Sequence, residues 1–358
     1  MKSELSILTG KYSIAGIKLE NEDCAGTCVP DDAYLLDNKG VVLAIADGVS
    51  SAEAGKEASH TSIEKFVSEY YQTPDTWSVS KSGQNVLSAL NLHLYRKSHA
   101  FDLDSKGYLT TFSAVIIKGQ TAHFFHVGDS RIYHLRQGEL KLCTTDHSAP
   151  LGEGRTFLSR AIGMDSVLHI DYGTIPLEEN DRFLLSTDGV HDFLTVETLK
   201  EILQKDELPQ TLSQAFVKLS LTSKSDDNIS AVVGVVKDLP EENLIDHDLK
   251  LTQLPFPPDM YAGVEVDGYV VEEELFSSSR SQVYLVRDKQ TGQQFAMKTP
   301  SINFEDDAPY IARFIREEWV GSRVNHPNIV QIVTQTRPRS YLYYLMDKFR
   351  DKDQTTTS

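Results

Sequence analysis

The 358-residue chain has little cysteine, no long hydrophobic run and no excess of positive charge. Its three cysteines, Cys24, Cys28 and Cys143, are odd in number and lack metal-ligand spacing, which argues against a disulfide framework and for a reducing cytoplasm. No apolar stretch approaches the length of a membrane span and no signal peptide is read, so a soluble chain is expected. Lys and Arg number 35 against 52 Asp and Glu, a formal charge of −17. Neither nucleic acid nor an anionic membrane would attract such a surface. Hydrophobic residues make up 40%, enough for a sizeable core, and the length favours two domains over one.

What is present is acid in particular places. Val41-Val42-Leu43-Ala44-Ile45-Ala46 reads as a strand buried on both faces, and it ends in Asp47-Gly48. Arg182 to Thr187 does the same before Asp188-Gly189, and Asp226-Asp227-Asn228 precedes a third such run, Ile229 to Val236. One Asp-Gly is an ordinary turn. Three acidic turns at the ends of apolar strands are more than that. Hard divalent cations prefer carboxylate and carbonyl oxygens, and glycine lets a backbone carbonyl come close, so these turns suggest a cation site at one edge of a β-sandwich.

Further motifs surround them. Asn21-Glu22-Asp23 lies near the N-terminus, Thr110-Thr111-Phe112 and Val127-Gly128-Asp129-Ser130-Arg131 lie in the middle, and Asp146-His147-Ser148 and Arg160-Ala161-Ile162-Gly163 follow. Ser186-Thr187-Asp188-Gly189-Val190-His191-Asp192 and Asp226-Asp227-Asn228-Ile229-Ser230 complete the order. Here residues 5 to 237 resemble the metal-dependent Ser/Thr protein phosphatases of the PPM type, also called type 2C. The resemblance implies an α+β fold, a four-layer αββα sandwich with two Mn²⁺ or Mg²⁺ ions at one end of its sheets. It implies that Asp47 bridges the ions, that Gly48 offers its carbonyl, and that Asp188 and Asp227 hold one ion. Glu22 and Asp23 would act through metal-bound water, and Asp129 and Asp192 correspond to carboxylates that hold a third, weaker ion in bacterial members. The implied reaction is hydrolysis of a phosphoserine or phosphothreonine in a protein, by in-line attack of a water bridging the two ions.

Several positions depart from the family pattern. The phosphate-gripping arginine falls on Lys18, which keeps the charge but not the bidentate fork. Val49 stands where many eukaryotic members carry a histidine, which leaves leaving-group protonation to metal-bound water. The turn Leu151-Gly152-Glu153-Gly154 is short where bacterial relatives insert a flap. Helical spacing over Ala52 to Tyr71 and Gln84 to Ala100 gives an outer layer, with a polar loop between. His123 and His126, three apart on a strand, face opposite sides and read as core or surface residues rather than ligands, whereas His191 is the histidine best placed to reach the site.

Beyond Val236 the composition changes. The expected organisation is a phosphatase domain over 1–238, an Asp-, Glu- and Pro-rich linker over 239–265, a second domain over 266–350 and a polar tail over 351–358. The second domain resembles the N-terminal lobe of a Ser/Thr protein kinase, an antiparallel sheet plus one helix. Lys298 in Phe295-Ala296-Met297-Lys298 falls at the ATP-binding lysine, and Glu317, ahead of His326-Pro327-Asn328, falls at its helix partner. The glycine-rich loop is replaced by Phe276-Ser277-Ser278-Ser279-Arg280-Ser281-Gln282-Val283, and no His-Arg-Asp or Asp-Phe-Gly follows; Phe349-Arg350-Asp351 only echoes the first, and Thr356 stands where its asparagine would fall. A truncated, catalytically dead lobe with a vestigial ATP site is expected, with a docking partner for its open face. The alternatives are a non-catalytic regulatory or binding protein and a fragment of a bifunctional phosphatase and kinase.

Overall fold

The computed structural model describes residues 4–347, apart from 50–51, 100–106, 153–154, 253, 305–306, 327, 334 and 336. The Glu153-Gly154 turn tip, Pro327, Phe349-Arg350-Asp351, Thr356 and the tail 351–358 therefore lie outside the described residues. The chain forms two compact units, Met1–Glu241 and Glu242–Ser358.

The first unit begins with β1 (Ser6–Ile14), β2 (Asp23–Cys28), α1 (Ala33–Lys39), β3 (Val41–Asp47), α2 (Gly55–Gln72) and α3 (Val79–Ser98). A run of strands follows: β4 (Phe112–Lys118), β5 (Thr121–Val127), β6 (Arg131–Arg136), β7 (Glu139–Leu142), β8 (Ser148–Gly152), β9 (Arg155–Leu158), β10 (Asp171–Pro176) and β11 (Arg182–Ser186). The unit closes with α4 (Asp188–His191), α5 (Val196–Leu203), α6 (Pro209–Thr222) and β12 (Ile229–Asp238). Two five-stranded sheets result, ordered β1-β12-β11-β6-β7 and β10-β5-β4-β3-β2, and β8 pairs with β9 as a separate hairpin.

Period-two alternation builds the layers. On β3, Val42, Ala44 and Ala46 pack with Phe66 of α2 and Leu87 of α3, while Val41, Leu43 and Ile45 pack toward Phe183, Leu185 and Val232 of the other sheet. On β12, Ala231, Val233 and Val235 turn outward to Leu199 and Leu203 of α5 and Phe216 of α6. Both strands are thus covered on both faces, as their unbroken apolar sequence requires. Each fully buried Leu or Phe contributes about 1.5–3 kcal/mol. These layers hold the sheet ends in place, and every acidic turn named above lies at such an end or beside it.

The second unit contains α7 (Leu244–Leu251), β13 (Glu265–Val266), β14 (Tyr269–Ser277), β15 (Ser281–Asp288), β16 (Gln294–Pro300), α8 (Ala308–Gly321), β17 (Ile332–Val333) and β18 (Tyr344–Asp347). Its six-stranded sheet is ordered β13-β14-β15-β16-β18-β17, with antiparallel pairs throughout. Within the stretch expected to act as a linker, Asn243 caps α7 by accepting from Ile245 N and Asp246 N, and α7 packs against α8. Leu251 of α7 then joins Phe314, Ile315 and Tyr344 in the core, with Leu254 and Phe256 packed beside them.

Candidate active site

Antiparallel pairing of β2 with β3 sets Asp23 directly opposite Asp47. Like charges across a strand pair repel, so another force must hold them. For Asp47 that force is backbone geometry. Its N–H donates to Thr111 Oγ1 at 3.0 Å, and its carbonyl accepts from Thr111 N and Thr110 Oγ1, both at 2.8 Å. Gly48 N–H donates to the Glu22 carbonyl at 3.1 Å, and a Cβ on Gly48 would meet the Gly55 carbonyl at 2.4 Å, so only glycine fits there.

Thr187, between β11 and α4, connects three chain segments. Its hydroxyl donates to Asp23 Oδ2 at 2.9 Å and accepts from Ser230 N at 3.2 Å, and the next residue is Asp188. Gly189 lies so close to the Asn228 carbonyl that a Cβ would stand 2.0 Å from it. Asn228 is buried and makes three bonds. Its Oδ1 accepts from Glu22 N at 2.8 Å, and its Nδ2 donates to the carbonyls of Ala15 at 3.0 Å and Glu20 at 2.8 Å. Asp227 accepts from Asn228 N at 2.6 Å and forms an ion pair with the Lys18 ammonium.

These carboxylates lie close enough to raise one another's pKa values. Burial, then the charges of Asp23, Asp188, Asp129 and Asp227, pushes Asp47 well above the usual carboxylate range. Burial raises Asp23 to about 6 despite the opposing bonds from Ser230 and Thr187, with Asp227 adding to the rise. Asp188 is raised to about 7 by burial and by Asp227, Asp129 and Asp23. Asp129 is raised to about 6 by burial and by Asp146 and Asp192, and burial also raises Asp192. Lys18 is held up by Asp227, Asp47 and Asp188 against the opposing effect of its partial burial.

Asp23 Oδ1 and Asp188 Oδ1 are buried with no hydrogen-bond donor. A buried anionic oxygen in that state is costly, and an oxygen-loving cation would relieve it. The residues therefore fit the expected ions. Among the described residues, no group of three His, Cys, Asp or Glu side chains is already closed into a ligand set. The structure brings together a looser cluster of Asp23, Asp47, Asp188 and Asp227 with Lys18, and Asp129 joins it with Asp192 beyond. Glu22 takes part through its backbone, while its carboxylate lies beside Gly55.

The histidines named above are held by other partners, and His191 Nε2 lies 4.0 Å from Asp192 Oδ1. His191 Nδ1 bonds Ser186 Oγ at 2.9 Å, and burial lowers its pKa to about 3, so it serves as a neutral core group. His126 bonds Ser113 at 2.9 Å and His123 bonds the Tyr172 hydroxyl at 2.8 Å, both buried and lowered to about 4 by burial. Thr111, Thr187 and Asn228 hold the site, and residue type alone assigns them no role in it. The available signal was a hydrogen-bonding side chain beside or near each acidic turn.

In the second unit the structure brings Lys298 of β16 to Glu317 of α8, with Nζ 2.7 Å from Oε1 and 2.9 Å from Oε2. The hairpin between β14 and β15 turns tightly, and Ser278 Oγ accepts from Arg280 N at 3.3 Å and Ser281 N at 3.1 Å.

Comparison with known proteins bears on the first unit. Residues 25–223 match the profile of a family described as protein phosphatase 2C. The chain is 26% identical over 249 residues to the serine/threonine phosphatase stp of Listeria monocytogenes, covering 63% of this chain and 94% of that protein. It is 29% identical over 211 residues to the serine/threonine protein phosphatase PstP of Mycobacterium tuberculosis, covering 55% of this chain and 40% of that one. Among solved structures it resembles the catalytic domain of PstP in complex with two manganese ions, at a TM-score of 0.54 and 26% identity over 65% of this chain and all of that one. Stp1 of Staphylococcus aureus shares the fold, with a TM-score of 0.58 at 21% identity over 66% of this chain and 98% of that one.

Proposed function

The chain belongs to the protein phosphatase 2C family and is a protein-serine/threonine phosphatase, and from that premise we propose that its first unit hydrolyses phosphoserine and phosphothreonine in proteins at the carboxylate cluster around Asp47. The observation that carries the reading is the convergence of Asp23, Asp47, Asp188 and Asp227, with two buried carboxylate oxygens left without donors. Two divalent cations, Mn²⁺ or Mg²⁺, supply when bound a Lewis acid for the phosphoryl oxygens and a water acidic enough to attack phosphorus near neutral pH. Asp47, Asp188 and Asp227, with the carbonyl of Gly48, would hold these cations. Asp129 and Asp192 would hold a further, weaker ion, and Glu22 and Asp23 would act through ion-bound water. Lys18 holds the phosphoryl group as a point charge in place of the family's arginine. The free cysteines support a reducing, cytoplasmic setting. Among the described residues no helix is long and apolar enough to cross a membrane.

The raised carboxylates give this reading a pH signature. Asp129 and Asp188, with values near 6 and 7, must shed protons before they can hold a cation, and Asp23, near 6, before it can accept from ion-bound water. Their folded values lie above the ordinary carboxylate range, so protons compete most strongly at low pH, and cation binding strengthens as pH rises through 6 to 7. The rise in Tm caused by saturating Mn²⁺ is therefore expected to be small at pH 5.5 and to grow through pH 7.5. Comparing each pH with and without Mn²⁺ cancels the opposite contribution of the buried histidines. A Tm rise that is absent at every pH, or largest at pH 5.5, would sink the metal reading.

The second unit we assign as a kinase-like N-terminal lobe without transfer activity. Lys298 and Glu317 support the likeness. Ser278 argues against activity, because its hydroxyl occupies two backbone N–H groups of the turn that a glycine-rich loop would offer to phosphates. Lys298→Ala is expected to leave phosphatase turnover unchanged. Transfer of labelled phosphate from ATP by the full chain, lost in that variant, would overturn the assignment.

A further inference from the structure

The segment from Ala15 to Asn21 joins β1 to β2 and carries Lys18 at its middle. It is pinned from several sides. Asn228 donates to the carbonyls of Ala15 at 3.0 Å and Glu20 at 2.8 Å, while Lys18 N–H donates back to Ala15 at 3.1 Å. Gly16 adopts φ 64°, and a Cβ there would stand 2.4 Å from the Asp227 carbonyl, so the loop lies directly against the backbone of the acidic cluster. The Lys18 ammonium fixes the middle of the loop to Asp227.

On this clamped loop, the residues on either side of Lys18 are apolar and uncovered. Ile17 is 70% exposed and Leu19 is fully exposed. A single exposed aliphatic side chain needs no explanation. Two that bracket the residue assigned to the phosphoryl group, on a loop whose backbone is already ordered, form a preorganised contact, since little further entropy is lost when something packs against them. The surrounding carboxylates make an acidic neighbour unfavourable there.

We propose that Ile17 and Leu19 select phosphoproteins in which an aliphatic side chain adjoins the phosphorylated residue. The inference rests on the phosphatase reading and adds a substrate class to it. Ile17 and Leu19 touch the residues that flank the phosphate, and they take no part in phosphate cleavage.

The test compares two phosphoserine peptides that differ only in having Leu or Ser on both sides of the phosphoserine, with para-nitrophenyl phosphate as a substrate that has no flanks. The full chain with Mn²⁺ is expected to favour the Leu peptide in kcat/KM by about fivefold or more, mainly through KM. The double substitution Ile17→Ser, Leu19→Ser is expected to bring that ratio to about one, with para-nitrophenyl phosphate turnover and Tm unchanged. A wild-type chain that treats the peptides alike, or a double variant that keeps the preference, overturns the proposal. Absence of para-nitrophenyl phosphate turnover by the wild type at any Mn²⁺ concentration would instead overturn the phosphatase reading, and the selectivity with it.

Discussion

Asp47→Asn is expected to lower turnover roughly 100-fold or more at saturating Mn²⁺, because it removes the carboxylate assigned to both ions. The same change should not unfold the chain. The strand end is fixed by backbone bonds to Thr110 and Thr111, which the substitution leaves alone. It also deletes a buried charge that repels Asp23, Asp188, Asp129 and Asp227, so the Tm measured in chelator is expected to hold or rise. A variant of unchanged turnover would remove Asp47 from the chemistry. A variant that lost activity by losing its fold would leave the role of its charge unsupported.

Asn228→Ala should act by the opposite route, on architecture first. Asn228 is 2% exposed, and its side chain satisfies the Glu22 N–H and the carbonyls of Ala15 and Glu20. Removing the amide takes that partner from the Glu22 N–H and from the carbonyls of Ala15, which keeps the Lys18 N–H, and of the exposed Glu20, a loss of about 1–3 kcal/mol at roughly 1 kcal/mol or less for each. The loop that carries Lys18 and the start of β2 with Asp23 would loosen together. Turnover is expected to fall about 10- to 100-fold, the usual consequence of losing a group that orients ligands. Thermal unfolding and steady-state kinetics on the same variant check both halves. A normal Tm with full activity would show that the clamp is dispensable.

The strands that carry the site were legible because burial on both faces leaves a mark in one dimension. Val41 to Ala46, Arg182 to Thr187 and Ile229 to Val236 are largely apolar runs adjoining an acidic turn, and each coincides with a central strand. Helix edges were less legible. The spacing predicts a helix from Gln84 with a loop before it, whereas α3 starts at Val79 under a Ser78 cap and runs through Gly83. That glycine is no helix breaker here. A Cβ on it would stand 2.4 Å from the Phe125 ring, so its bareness admits the ring, a tertiary reason invisible along the chain. The acid in Asn243 to Leu251 likewise hid a helix whose apolar side reaches a core formed by residues some 60 to 100 positions later. In the site itself, the acidic residues could be named because their chemistry is stated by residue type. Asn228 could not be given its role, since what defines it is a set of bonds to residues 206 to 213 positions away.

The most direct measurement is phosphate release from a phosphoserine peptide by the full chain as Mn²⁺ is added, removed with a chelator and added again. Release that appears with Mn²⁺, vanishes on chelation and returns on re-addition, and that Asp47→Asn lacks throughout, is the predicted result. No release at any Mn²⁺ or Mg²⁺ concentration, or release indifferent to the chelator, would contradict the account.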